Sequence, residues 1–237
     1  KLKNATDLVS NYLHSGRRVL PIVADLNSND LSVFLNITSQ LQEYSTKIGI
    51  LINNAGVLIN QPDVYLNLSE DEITQNINVN VRGVLMVTKA VLPLMLSNKR
   101  GLVVNMSSFA SFGPVPLLGI YSASKEYVNY FGNTLKHEYK NYNIDVLTMV
   151  PWFIKTKMVN FSERLSKPSL IKSLFVPSTK TYVTSAIATF GHTDHTTGYW
   201  VHGYMWFFFK NFIPKVILRF VNTWFLIKIN SRKNYTN

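Results

Sequence analysis

A chain of 237 residues with 46% hydrophobic and 13% aromatic content is long enough for one α/β domain with a sizeable core and too apolar for disorder. Its formal net charge of +11 favours anionic partners. No run interleaves Arg with aromatics into a nucleic-acid platform, so an anionic membrane face or a phosphorylated small molecule is expected instead. The absence of cysteine excludes disulfides and thiolate metal sites.

In chain order, strands alternate with helices. The start, Lys1-Leu2-Lys3-Asn4, is polar and reads as neither a signal peptide nor a membrane span. Leu2–Leu13 reads as a helix. Arg17–Ala24 reads as a strand ending at Asp25, and Ser28 or Asn29 as the cap of a helix reaching about Tyr44. Ile48–Asn54 is an apolar run short enough for a buried parallel strand. Ser69, followed by Glu70, Asp71 and Glu72, caps a helix to about Leu96, with Pro93 as a kink point. Leu102–Ser107 is a strand, Phe109–Ile120 a loop, Tyr121–Tyr139 a helix and Ile144–Val150 a strand stopped by Pro151. Trp152–Pro177 is irregular, Ser178 opens a helix to about Phe190, and Gly198–His202 reads as a short last strand.

This alternation implies right-handed crossovers and a doubly wound parallel α/β sheet of Rossmann-like, three-layer form. Residues 1–203 form that domain and residues 204–237 a tail that is aromatic and basic together. Interspersed charges make the tail a poor spanning helix. It reads as an interfacial membrane helix, or as a core- or dimer-facing segment whose Lys and Arg snorkel. His192-Thr193-Asp194-His195 shows no third ligand nearby and reads as a loop, so no metal is expected.

The chemistry is carried by Tyr121 and Lys125. They lie four apart and share one helix face. Of twelve tyrosines, only Tyr121 has Lys at i+4. A cationic Lys beside a phenol lowers the phenol's pKa toward working pH and yields a proton donor for a carbonyl under reduction. Ser108 precedes Tyr121 at the end of an apolar strand, the position for a second hydroxyl at the same site.

The ordered set Asn53-Asn54-Ala55-Gly56, Asn80-Val81-Arg82-Gly83, Ser108 and Tyr121-x-x-x-Lys125 resembles the short-chain dehydrogenase/reductases. Pro114–Leu118, Pro151–Lys157 and Pro177-Ser178 are similar to the branch of very-long-chain 3-oxoacyl-CoA reductases, also described as 17β-hydroxysteroid dehydrogenases of the endoplasmic reticulum. The resemblance implies that Tyr121 is the general acid and that Lys125 tunes it and holds the nicotinamide ribose. Ser108 would hydrogen-bond the substrate carbonyl and Asn80 would hold a relay water. Asn53, Ala55 and Gly56 would shape the cofactor loop, Asp25 would contact adenine, and Thr156 would reach the nicotinamide side. Read from the residues alone, Asn80 could be a helix-surface amide, and Asp25 and Thr156 could be helix caps. Phe153, with Phe161 and Leu165, would line an acyl pocket.

The implied cofactor is NADPH, with NADH not excluded. The implied activity is reduction of a long-chain 3-oxoacyl-CoA in fatty-acid elongation, on the cytosolic face of the endoplasmic reticulum membrane. A 17β-type steroid or retinoid dehydrogenase, a possible homodimer, and a catalytically silent membrane-associated binding protein are the alternatives. The chain contains no G-x-x-x-G-x-G turn. The family's first β-α-β unit is therefore expected to be lacking, along with the backbone cradle for the pyrophosphate. The chain alone is expected to fold poorly and to bind no dinucleotide.

Overall fold

The computed structural model describes residues 6–7, 9–10, 17–59, 61–156, 158, 170–214, 216–217, 220, 223–224 and 226–227. Its centre is a parallel sheet of four strands in the order β1-β2-β3-β4: β1 is Ile50–Asn53, β2 is Gly101–Met106, β3 is Ile144–Met149 and β4 is His195–Thr196. The helices are α1 (Ser32–Leu41), α2 (Glu70–Ile77), α3 (Val84–Ser97), α4 (Gly119–Tyr139), α5 (Leu170–Phe175), α6 (Thr179–Ile187) and α7 (Trp200–Phe212). Residues 6, 7, 9 and 10 of the first expected helix are helical; the rest of it lies outside the described residues.

The near-continuous apolar runs of β2 and β3 follow from burial on both faces. Val103 and Val146 point to Val91, Leu92 and Met95 of α3 and Leu135 of α4. Their neighbours Val104 and Leu147 point the other way, to Tyr182 and Ala186 of α6 and Val201 of α7. This alternation gives the helix–sheet–helix sandwich the sequence implies. Helix α4 approaches β3 closely at Gly132. A Cβ there would collide with the Thr148 hydroxyl and stand 3.3 Å from Asn105 Nδ2. Thr148 is 1% exposed and β-branched, so it has little room to turn away. Gly132→Ala should therefore destabilise the protein by about 1–3 kcal/mol, read as a lower denaturation midpoint at unchanged m.

Several expectations are corrected. Arg17–Ala24 is not a strand: residues 17–25 are irregular, and Leu20 and Val23 are exposed. A parallel strand exists through its ladder, and among the described residues none pairs with 17–25; β1 bonds to β2 and stands at the sheet edge. There Ile50 and Ile52 are 54% and 51% exposed. Helix α1 starts at Ser32 rather than after Ser28 or Asn29, and Leu31 gives it no side-chain cap. Asp30 turns the chain into it instead, accepting from the Ser32 N–H at 2.8 Å. The Gly198–His202 strand is replaced by β4 two residues before it, a left-handed Gly198 (φ 73°) and the start of α7. The expected loop after Ser108 begins with a 3-10 turn, Phe109–Phe112.

Candidate active site

The long helix opened by Ser69 has the expected start. Ser69 and Glu72 form a reciprocal capping box. The helix then loosens into a π-helical stretch, Asn78–Gly83, before α3 resumes and runs through Pro93. A π-bulge re-aims side chains and recurs at functional sites. Here it turns Asn80 inward, fully buried, so Asn80 is no surface amide. Its Oδ1 accepts from the Val57 N–H at 2.8 Å and its Nδ2 donates to the Val57 carbonyl at 2.8 Å. Both polar atoms thereby clamp the loop that follows β1. Asn76 Oδ1, 2.9 Å away, and Ser124 Oγ, 3.2 Å away, hold the same amide from α2 and α4.

That loop passes directly over Lys125. A Cβ on Gly56 would lie 3.2 Å from Lys125 Nζ and 3.4 Å from Asn80 Oδ1, so only glycine leaves this approach relaxed. Asn53 is buried and spent on structure: its Nδ2 donates to Asn105 Oδ1 at 2.8 Å and to Thr88 Oγ1 at 2.9 Å. Asn53, Ala55 and Asn54 join Leu26, Ile52, Val79, Val84 and Val87 in lining a mainly apolar groove at the end of β1.

At the end of β2, Ser107 and Ser108 split two tasks. Ser107 Oγ donates to the Lys125 carbonyl at 2.6 Å and ties the strand to α4. Ser108 is extended, accepts from the Ala110 N–H at 3.1 Å, and hydrogen-bonds the phenol of Tyr121. Lys125 is 5% exposed; its Nζ lies 5.8 Å from the centre of the Tyr121 ring and donates to the Met106 carbonyl at 2.9 Å. Burial lowers the Lys125 pKa from 10.5 to about 8. The sequence expectation of a depressed phenol is reversed. Burial raises the Tyr121 pKa, and the Ser108 hydrogen bond offsets this only in part. Desolvation acts against the phenolate as it acts against the ammonium. The result is a phenol that carries its proton, the form a general acid requires.

The structure thus brings Ser108, Tyr121, Lys125, Asn80 and Gly56 together. Asp25 is exposed and neither ends a strand nor caps α1. Its Oδ1 accepts from the Asn27 N–H at 2.9 Å within a local turn, while the adjacent Leu26 lines the groove. The turn is anchored by Arg82, which donates to the carbonyls of Ser28 and Asn29, and by Asn78, which donates to Asn27. Thr156 is half-buried on a bend after Lys155, whose N–H pairs with the Pro177 carbonyl at 3.0 Å. Phe153 is half-buried against Trp152, while Phe161 and Leu165 lie outside the described residues. Sequence reasoning missed Ser107, Asn76, Ser124 and Arg82. Asn76 carried a visible signal, an amide four residues before Asn80 on the same face.

The tail is docked as well as exposed. Trp206 and Phe209 of α7 pack on Phe109, with ring centroids 5.5 and 5.6 Å away. Leu226, 3% exposed, joins Ile59, Val115 and Leu118 around Tyr121. Trp200, Tyr204, Phe207, Phe208 and Phe212 face outward. The stretch Glu70–Ser97 is long and apolar enough to cross a membrane, yet half of that window is buried, and Val91, Leu92 and Met95 belong to the core.

Residues 2–165 match the family described as short chain dehydrogenase. The chain is 38% identical over 175 residues to the very-long-chain 3-oxoacyl-CoA reductase of Rattus norvegicus, covering 69% of this chain and 54% of that protein. It is 36% identical over 194 residues to the human protein named inactive hydroxysteroid dehydrogenase-like protein 1, covering 82% of this chain and 56% of that one. The chain therefore spans about half the length of the curated relatives it matches. A short-chain dehydrogenase from Sphingobium yanoikuyae, solved with NADPH, superposes with a TM-score of 0.69 at 24% identity over 83% of this chain and 72% of that one, a likeness of fold.

Proposed function

Given that this chain belongs to the short-chain dehydrogenase family, we propose that it serves the NADPH-dependent reduction of the 3-oxo group of a long-chain 3-oxoacyl-CoA in fatty-acid elongation. The observation that carries the reading is the arrangement of half-buried Ser108 with buried Tyr121 and Lys125, the lysine beneath the Gly56 loop. The apolar groove from Leu26 to Ala55 is assigned to a flat nucleobase, and Lys125, which the Gly56 loop approaches closely, to the ribose. No Gly-rich turn for the pyrophosphate occurs in the sequence. Asp25 beside the groove and Thr156 near the nicotinamide end complete the proposed cofactor contacts, and Phe153 is assigned to the acyl chain. Bound NADPH supplies a hydride.

The chain's own groups do the rest. The Ser108 hydroxyl holds the substrate carbonyl oxygen, and Tyr121 Oη delivers a proton to that oxygen as it becomes an alkoxide. Lys125 stabilises the phenolate left behind. Asn80, with its amide on Val57, fixes the loop beneath which the ribose lies and keeps the path for proton return.

Membrane association at the cytosolic face of the endoplasmic reticulum fits the tail. Its outward aromatics are accompanied by Lys210, Lys215, Arg219, Lys228, Arg232 and Lys233, with no Asp or Glu after residue 203. The relatives named for hydroxysteroid dehydrogenase favour a second reading, a 17β-type steroid or retinoid dehydrogenase. The intact Ser108, Tyr121 and Lys125 count against the silent reading that one relative's name suggests. Turnover by the native full-length protein separates these. The proposal expects NADPH oxidation with C16–C24 3-oxoacyl-CoA at a kcat/KM at least about tenfold above that with a 17-ketosteroid. The reverse order would support the steroid reading, and no turnover with either the silent one.

A further inference from the structure

His202, on the first turn of α7, is fully buried and takes no part in the chemistry above. Its Nδ1 accepts from the Trp152 N–H at 3.3 Å, which places the proton on Nε2, and Nε2 donates to the Phe175 carbonyl at 3.0 Å. One neutral imidazole thus binds backbone groups just after β3 and at the end of α5. Trp152 follows Pro151, whose carbonyl accepts from the Phe109 N–H at 2.8 Å, and Phe109 follows Ser108. The rings repeat the linkage. Trp152 lies against Phe109 at 4.1 Å and is stacked on Phe209 of α7 at 5.8 Å.

We propose that His202 is a positioning residue for the reduction: through Trp152, Pro151 and Phe109 it sets where the Ser108 hydroxyl stands relative to Tyr121. The proposal rests on the reductase reading, since Ser108 matters only where a carbonyl is held. Ser108 sits on a short extended link between β2 and a 3-10 turn, with no regular element of its own to fix it. Its frame comes from two backbone bonds to the end of β3 and the segment after it, Ser107 N–H to the Met149 carbonyl and Phe109 N–H to the Pro151 carbonyl. His202 holds the next residue of that segment.

The linkage carries its own pH dependence. Burial lowers the His202 pKa below the ordinary imidazole value, with the Phe175 carbonyl acting in the opposite sense. The titratable groups facing it are Tyr199, at 5.1 Å between rings, and Tyr182 of α6, at 6.2 Å, which burial pushes up and away from the acid range. As pH falls below about 6.5 the unfolded chain takes up the proton first, so stability is lost from there down to the lowered native pKa. Below that value Nδ1 carries a proton, two donors face each other, and the bond to Trp152 is gone. His195, lowered by burial and by Lys210, titrates on the same side and lies against Trp206 instead.

The test uses the native full-length protein with His202→Phe, His202→Gln and the control His195→Gln. Two readouts are taken: kcat and KM for a 3-oxoacyl-CoA against pH, and amide hydrogen exchange of the peptide containing Trp152. His202→Phe should lower kcat by about tenfold or more with a smaller change in KM, and should deprotect Trp152. His202→Gln, which keeps an acceptor and a donor without titrating, should restore most of kcat and the protection. It should also shift the acid limb, while His195→Gln leaves both in place. Wild-type kcat in His202→Phe, or a Trp152 amide still protected in it, would overturn the proposal. A wild-type protein that reduces no carbonyl sinks the reductase reading instead, and the exchange measurement still decides the link between His202 and Trp152.

Discussion

Tyr121→Phe in the native full-length protein should lower the rate of carbonyl reduction by a factor of about 10²–10⁴ while leaving the fold intact. The substitution removes one oxygen and keeps the ring that packs with Ile59, Val115, Leu118 and Leu226. In the proposed mechanism the lost hydroxyl is the proton source, and Ser108, its hydrogen-bond partner, cannot substitute because an aliphatic alcohol gives up its proton too reluctantly near neutral pH. Binding of NADPH should change little, because the ribose is assigned to Lys125. The measurement is single-turnover NADPH oxidation beside a thermal melt. Wild-type turnover by the variant would remove Tyr121 from the mechanism. Equal losses in turnover and melting temperature would make its role structural.

Lys125→Met should separate activity from stability. At 5% exposure the ammonium is held at an energetic cost, which is why its pKa falls from 10.5 to about 8. The sign follows directly. Between about 8 and 10.5 the unfolded chain binds the proton that the folded chain has released, so stability rises with pH across that window and is lost as pH falls through it. Methionine removes the cost and gives up one bond to the Met106 carbonyl. The variant should lose activity by about 10²–10⁴-fold, yet be as stable as wild type at pH 7 or more stable by about 1–3 kcal/mol. Its stability should no longer rise between pH 8 and 10.5. For the wild type, kcat should fall as pH rises through about 8, where Lys125 loses its charge. A flat alkaline limb, or a variant much less stable than wild type, would contradict this account of Lys125.

The parts of the fold legible in the sequence are those where local pattern and tertiary role coincide. β2 and β3 are buried on both faces, so their near-continuous apolar runs announce them. Ser69 with Glu72 announces a helix start because a capping box is a purely local device. Arg17–Ala24 shows the reverse case: its strand-like composition is real, but a strand is made by neighbours, and among the described residues none pairs with it. Gly198–His202 reads as a strand because Tyr199, Trp200 and Val201 are strand-favouring residues, whereas the left-handed Gly198 redirects the chain into α7.

At the site, spacing singled out Ser108, Tyr121 and Lys125, since a helix turn and a strand end fix their relation. It could not show that Asn80 sits in a π-helical stretch clamped to Val57, because no sequence period encodes one inserted residue. Nor could it show the direction of the Tyr121 shift, which depends on how completely the packed chain removes water. The tail has two aromatic faces, an inner one on Phe109 and an outer one of Tyr204, Phe207, Phe208 and Phe212. Composition alone cannot assign faces when aromatics occupy both.

The most direct test of the central claim is a crystal structure of the native full-length protein with NADP and a long-chain 3-hydroxyacyl ligand. The account predicts the 3-hydroxyl oxygen within hydrogen-bond reach, about 2.6–3.2 Å, of both Ser108 Oγ and Tyr121 Oη, with the nicotinamide ribose on Lys125 Nζ. A hydroxyl placed away from Tyr121, or a cofactor whose ribose does not meet Lys125, would contradict it.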